Sequence, residues 1–426
     1  RSTLFPYTTL FRSKTRCGSD QLSRSKFGSV SSEKSAGRRR ITKDDARHSM
    51  RKQIMFKKSL AAVAVLGAFA GSALAADVQL YGVVDLGLNW TQTDDGVTKT
   101  DSFSMASGQN SGSRFGLKGT EDLGNGYKVG FNLENSFKAD DGALDKGSRL
   151  FHRESLLFVQ TPFGEISAGR TGALDAGTGR YNLMGSGATA IGTGWDKVGC
   201  SSDVLLGTGS RMDNTLTFKS PNMAGFTVLA QASLKKDNTS KTDGEEGSSD
   251  AERYYGLGVT YGVGAFNTGL VVSQADYGRA AVNGNNPQND DDMLTVSGFV
   301  NYDFGMIKPM FAAQYWDGGK DYDGAASVNI TSDKKNYATK GYGLVVGATA
   351  PVVGGTLKVT AGWNDYETLF ETAQDGNGEG NNFMVGVGYE YPLSKRTFVY
   401  TAAGYSEKKV EWKTEEDKTK IGRAHV

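Results

Sequence analysis

From Ala76 onward, apolar and polar residues alternate with a period of two, in runs of about ten. In VQLYGVVDLGLNW, Leu80, Gly82, Val84, Leu86 and Leu88 share one face, while Gln79, Tyr81, Asp85 and Asn89 share the other. YKVGFNLENSF sets Val129, Phe131 and Leu133 against Lys128, Asn132 and Glu134. NTLTFKS sets Leu216 and Phe218 against Thr215, Thr217 and Lys219. TLKVTAGW sets Leu357, Val359 and Trp363 against Lys358 and Thr360. Each run predicts a β-strand with one wet and one dry face.

Short and long connections alternate between these runs. The short ones are EDLGNG (121–126), TPFG (161–164), SPNMAG (220–225), VG (263–264), FG (304–305), PVVGG (351–355) and PLSK (392–395). They are built from turn-forming Gly, Pro, Asn and Ser. The long ones fall near 92–110, 138–149, 171–210, 235–252, 276–292, 317–339 and 367–380, and are rich in Asp, Asn, Gly, Ser and Lys. Tight turns at one rim and long polar loops at the other are the layout of a transmembrane antiparallel β-barrel, so the fold class is all-β. The runs amount to fifteen strands, the last near 396–407. Single-chain barrels close with an even number, so sixteen are expected in the intact barrel, a size that leaves an aqueous channel. Aromatic pairs at strand ends (Tyr254 and Tyr255, Tyr302 and Phe304, Tyr315 and Trp316, Tyr389 and Tyr391) suit girdles at headgroup level.

Composition narrows the chemistry. Glycine is 57 of 426 residues, well above the usual ~7%, without the period that collagen needs. The formal charge of +1 hides an asymmetry. Residues 1–75 hold 16 basic and 4 acidic side chains, leaving 32 and 43 in the body, a net −11 that speaks against nucleic-acid binding. Of the three histidines (His48, His152, His425) only His152 lies within the barrel region, so neither a multi-histidine metal site nor a bound cofactor is expected. Cys17 and Cys200 fall on either side of the expected processing point, so no disulfide is expected.

The ends carry signals of their own. MFKKSLAAVAVLGAFAGSALA, residues 55–75, has the basic start, apolar middle and Ala73-Leu74-Ala75 cleavage site of a secretory signal peptide. Its apolar core is too short for a transmembrane helix. Residues 1–54 read as a non-native leader and 421–426 as an adapter-derived tail, leaving 76–420 as the barrel domain, incomplete at its C-terminal end.

Five stretches resemble the trimeric Gram-negative porins of the neisserial and β-proteobacterial type: VQLYGVVDLGL, GSRFGLKGTEDLGNGYKVGFNLE, LFHRESLLFVQTPFGEISAGR, RMDNTLTFKSPNMAGFTV and YPLSKRTFVY. The resemblance covers about 76–407 and implies an outer-membrane homotrimer, embedded in lipid, that passes small hydrophilic solutes and ions. It also implies that the third long loop, 171–210, narrows the pore, with Asp175, Asp196 and Asp203 as its acidic candidates. Arg114, Arg153, Arg170 and Arg211 are the matching candidates for a basic wall. This loop departs from the family's usual acidic signature.

Strand parity tests the arginines independently. Arg114 lies with Gly116 and Lys118 opposite Phe115 and Leu117, and Arg211 lies with Thr215 and Thr217; both point inward. Arg153 shares parity with Leu157 and Val159, which leaves it unsettled, and Arg170 shares it with Ile166 and would point outward unless the strand has ended. An arginine facing mid-membrane lipid costs ~2–4 kcal/mol, so the lumen or a rim is expected for each. An inward arginine cluster predicts a mild anion preference. The competing readings are a substrate-specific channel, a hydrolase built on a barrel with His152 and Ser155, and a β-rich adhesin without a pore. No catalytic residue is expected.

Overall fold

The structure, a computed structural model, describes residues 78–94, 98–146, 149–185, 188–191, 204–205, 211–239, 245–276, 292–320, 338–369, 378–412 and 424–425. The leader, the signal peptide, Asp196, Cys200 and Asp203 lie outside the described residues. The β-segments begin with β1 (Gln79–Val83), β2 (Leu86–Asp94), β3 (Lys99–Ser107), β4 (Arg114–Gly124), β5 (Tyr127–Ser136) and β6 (Glu154–Thr161). Next come β7 (Gly164–Thr171), β8 (Met212–Lys219), β9 (Phe226–Ser233), β10 (Arg253–Val263), β11 (Phe266–Asp276) and β12 (Met293–Tyr302). The remainder are β13 (Lys308–Lys320), β14 (Ala338–Val352), β15 (Gly355–Leu369), β16 (Gly378–Ser394), β17 (Thr397–Trp412) and the two-residue β18 (Ala424–His425).

β1 and β2 are one crossing strand with a break at Val84 and Asp85, and their partners β4 and β3 are another, broken at 108–113. Apart from β18, the segments therefore make the fifteen strands expected from the alternation. Each strand from β4 to β17 pairs antiparallel with the next, so the ladder hydrogen bonds satisfy the backbone groups that lipid cannot. The described sheet does not close. Between β17 and β2 only β18 intervenes, pairing with Glu407 and Lys408 on one side and Asp94 on the other.

The two faces of each strand separate as alternation requires. Leu80, Val84, Leu157, Leu216, Leu257 and Val346 are exposed on the outer face, the one that lipid covers. Thr215, Thr217, Gln231, Ser273, Thr295, Ser297 and Asn364 are buried on the inner face. All seven short turns lie where the composition placed them. The first long connection does not. In place of a loop over 92–110, β2 runs to Asp94 and β3 continues the ladder from Lys99, with Phe103 and Met105 exposed on the outer face. The polar residues among them, Ser102 and Ser104, alternate with these two and disguised a strand as a loop.

The aromatic pairs also divide differently. Tyr302 and Phe304 are exposed with ring centroids 4.5 Å apart, as a girdle requires, but Tyr254 and Trp316 are completely buried on the inner face. Their neighbours Tyr255 and Tyr315 take the outer positions, because adjacent strand residues point to opposite sides.

Three turns have positive φ at both central residues, as a type I′ hairpin turn demands: Asn125-Gly126, Ala224-Gly225 and Val353-Gly354. Asn tolerates this conformation, whereas a β-branched residue at φ 46° is strained. Val353 is also exposed, so its side chain gains little there in return. Val353→Asn should therefore stabilise the barrel by ~1 kcal/mol, read as a higher urea midpoint for loss of heat-modifiable gel migration. An unchanged or lower midpoint would show that the turn carries no strain.

Candidate functional site

The apolar core of this chain is inside the barrel. The loop between β7 and β8 turns inward, and its Leu174, Tyr181, Leu183, Met184, Ala188, Val204 and Leu205 pack on wall residues that include Leu156, Leu229, Val271, Phe299, Val345 and Met384. Those wall positions share parity with the buried polar ones, so they are inward apolar residues that only the loop keeps from water. Each fully buried Leu or Phe contributes ~1.5–3 kcal/mol to seating it. Ile191 packs similarly on Ala402 beside Tyr400.

Polar pins fix the loop's register. The Asp175 carboxylate accepts from Ser273 Oγ at 2.6 Å and from Tyr254 OH at 3.2 Å, and Asn364 Nδ2 donates to the Val204 carbonyl at 3.3 Å. Further along, Arg180 forms two bonds to Glu165, at 3.0 and 2.9 Å, and its guanidinium lies 4.2 Å from the Phe158 ring centroid. Glu165 also accepts from Tyr181 OH at 2.5 Å. Asp175, an acidic candidate for the pore lining, is thus buried as an anchor between loop and wall.

Beside the loop, the four candidate arginines occupy one region of the inner wall. Glu134 on β5 joins two of them: Arg153 Nε donates to it at 2.5 Å, and Arg114 Nε lies 3.5 Å away. Tyr81 OH also reaches Glu134, at 2.9 Å. Arg170 donates from Nη1 to Asp213 at 2.6 Å and from Nε to the His152 carbonyl at 2.6 Å. Arg211 is half-buried just before β8, and its buried Nε has no hydrogen-bond partner among the described residues. Burial and the nearby Arg153 push its pKa down to about 10, which leaves it charged at neutral pH.

Parity alone does not place Arg170, and the structure shows why. Gly169 has φ +131°, and the β7–β8 register shifts between Gly169 and Thr171. A Cβ at Gly169 would collide with the Ser155 carbonyl, so glycine permits a bulge that swings Arg170 from the outer parity of Ile166 onto Asp213. Arg153 precedes β6, where alternation no longer binds it.

Glu134, Glu154, Asp213 and Tyr81 carried no sequence signal beyond their inward parity, and Arg180, on the loop, carried none. Glu154 accepts from Thr171 Oγ1 at 3.1 Å, from the Arg180 backbone N–H at 2.5 Å and from Asn132 Nδ2, so it ties the loop to the arginine-bearing wall. Arg149, from the preceding loop, bonds both Asp213 oxygens (2.6 and 2.7 Å) and pairs with Asp237. His152 is buried beneath the cluster, with Nε2 2.9 Å from Ser136 Oγ and Nδ1 3.0 Å from Asn135 Oδ1. Ser155 points its backbone carbonyl at Gly169 and shows no bond to His152, so the pair offers no nucleophile-and-base arrangement.

These features define a class first: a transmembrane antiparallel barrel whose interior holds an inward loop and a charged wall. A family model described as Gram-negative porin matches residues 61–410, and the chain belongs to that family. An outer membrane porin protein of Bordetella pertussis is 29% identical over 395 residues, covering 82% of this chain and 94% of the relative. The major outer membrane protein P.IB of Neisseria meningitidis is 28% identical over 360 residues, covering 82% and 93%. Among solved structures, an anion-selective porin from Comamonas acidovorans superposes with a TM-score of 0.52 at 26% identity, covering 82% and 92%. The chain is an outer-membrane porin, a channel protein and not an enzyme.

Two outcomes follow from this geometry. Asp175→Ala leaves Tyr254 and Ser273 without their acceptor, which should cost ~1–3 kcal/mol and increase open-channel current noise as the loop loosens. Unaltered stability and noise would remove the anchoring role. Burial first, then the charge of Arg211, hold the His152 pKa down to about 4 from its ordinary 6.5. The unfolded chain therefore binds the extra proton between those values, and this stability contribution, complete above 6.5, is lost as pH falls toward 4. Urea midpoints of His152→Gln should accordingly show a shallower pH dependence than those of the parent over that window. Parallel curves would mean that His152 titrates normally.

Proposed function

We propose that this porin passes small hydrophilic solutes and ions by passive diffusion, through a lumen that the inward loop narrows and the arginine wall biases toward anions. The observation that carries this reading is the local charge balance. Arg114, Arg149, Arg153, Arg170 and Arg211 stand among four carboxylates, those of Glu134, Glu154, Asp213 and Asp237. Asp175, the described acidic residue of the loop's candidate set, is turned to the wall. One positive charge is left over beside the inward loop.

The body's net −11 opposes this bias, but much of it lies in the long loops, where charges are screened beyond ~8 Å at physiological salt. The anion-selective character named for the Comamonas acidovorans porin supports the same direction. Assembly as a homotrimer rests on the resemblance to trimeric porins, and outer-membrane lipid and small ions are the partners it implies.

The test is the reversal potential of single channels under a KCl gradient. The parent should show anion sign, with channels closing in thirds of the full conductance. A charge ~8 Å from a permeating ion in water changes its energy by ~0.5 kcal/mol, in opposite senses for an anion and a cation, so Arg211→Gln should reduce the anion-to-cation permeability ratio about sixfold. A cation-sign potential in the parent would overturn the arginine argument while leaving the channel intact.

A further inference from the structure

A cavity of about 460 Å³ opens beneath the inward loop, on the side of the short turns. Its position follows from the topology. Lys219 ends β8, Lys308 begins β13, and Asn267 is the second residue of β11, each next to a tight turn. Arg180 and Asn182 of the loop form its roof, and Thr260 adds a hydroxyl. No Asp or Glu among the described residues lines it.

The two lysines differ from the arginines of the wall. Arg114, Arg153 and Arg170 each have a carboxylate partner, and Arg180 is held by Glu165. Neither Lys219 nor Lys308 forms an ion pair among the described residues. Glu165 lies directly across the ladder from Lys219, yet its oxygens are already taken by Arg180, Tyr181 and Gln160. Two uncompensated ammonium groups, with amide and hydroxyl groups between them, suit a doubly charged ligand that presents several acceptor oxygens.

We propose that Lys219 and Lys308 form a second anion-binding station, on the turn side of the inward loop, that takes a small doubly charged oxyanion such as phosphate or a phosphate monoester. The station rests on the channel reading but not on the arginine wall. Arg180 lines both this cavity and a second of about 520 Å³ that Lys118 and Tyr81 also line.

The test uses inorganic phosphate as probe, at pH 8, with chloride current through single channels of the folded porin as readout and ionic strength held constant. Phosphate added to the turn-side chamber should reduce the chloride current saturably in the parent. In Lys219→Gln/Lys308→Gln the half-blocking concentration should rise about tenfold, since each ammonium supplies a direct charge–charge contact. Heat-modifiable migration confirms that the variant folds, and the single variant Lys308→Gln gives an intermediate shift if the double variant does not. Arg211→Gln should alter the reversal potential and leave the phosphate block in place, which separates this site from the wall. A non-saturating response in the parent, or an unchanged block in the lysine variants, would overturn the proposal.

Discussion

Hydrocarbon provides no hydrogen-bond partner, and a chain that crosses it in extended form must pair every strand with another. That requirement accounts for the unbroken antiparallel succession from β4 to β17 and for the hairpin in which β1 and β2 lie against β4 and β3. Alternation then follows, because one set of side chains meets lipid and the other is confined to the interior. At membrane depth the interior is therefore the only place where this protein can put charge, and everything that makes it a channel is written on that face.

An interior lined only by polar side chains has nothing to hold a loop. Here the inner face contains an apolar strip, Leu229, Val271, Phe299, Val345 and Met384, that would be poorly solvated if left open. The inward loop covers it with Leu174, Leu183, Met184 and Val204, so the hydrophobic effect that elsewhere builds a core here seats a loop inside a barrel. Apolar contact has no register of its own. Asp175 on Tyr254 and Ser273, and Glu154 on Arg180 and Thr171, supply it through directional bonds.

The charges near the loop form a connected set in place of a simple division into acidic loop and basic wall. Glu134 bridges Arg114 and Arg153, and Asp213 bridges Arg149 and Arg170. Sharing carboxylates lets these arginines crowd together with less mutual repulsion, beside Arg211, whose Nε is buried with no hydrogen-bond partner among the described residues. Arg180, held by Glu165, also lines the cavity of the two lysines, where no carboxylate stands among the described residues.

How much of this was legible depends on the range of the interaction. The sequence by itself determined the strand count, the seven turns, the faces of most strands and the inward aim of Arg114, because each follows from a period of two or from turn chemistry within four residues. It misjudged 92–110, where alternating serines concealed a strand, and assigned Tyr254 and Trp316 to the girdle because an aromatic at a strand end looks alike on either face. Only the tertiary structure decided that Gly169 bulges to turn Arg170 inward, that Asp175 anchors instead of facing the lumen, and that Lys219 and Lys308 line one cavity. These contacts join residues up to about a hundred positions apart across a curved sheet. Their geometry is set by bulges and by the seating of a loop, and neither leaves a periodic trace along the chain.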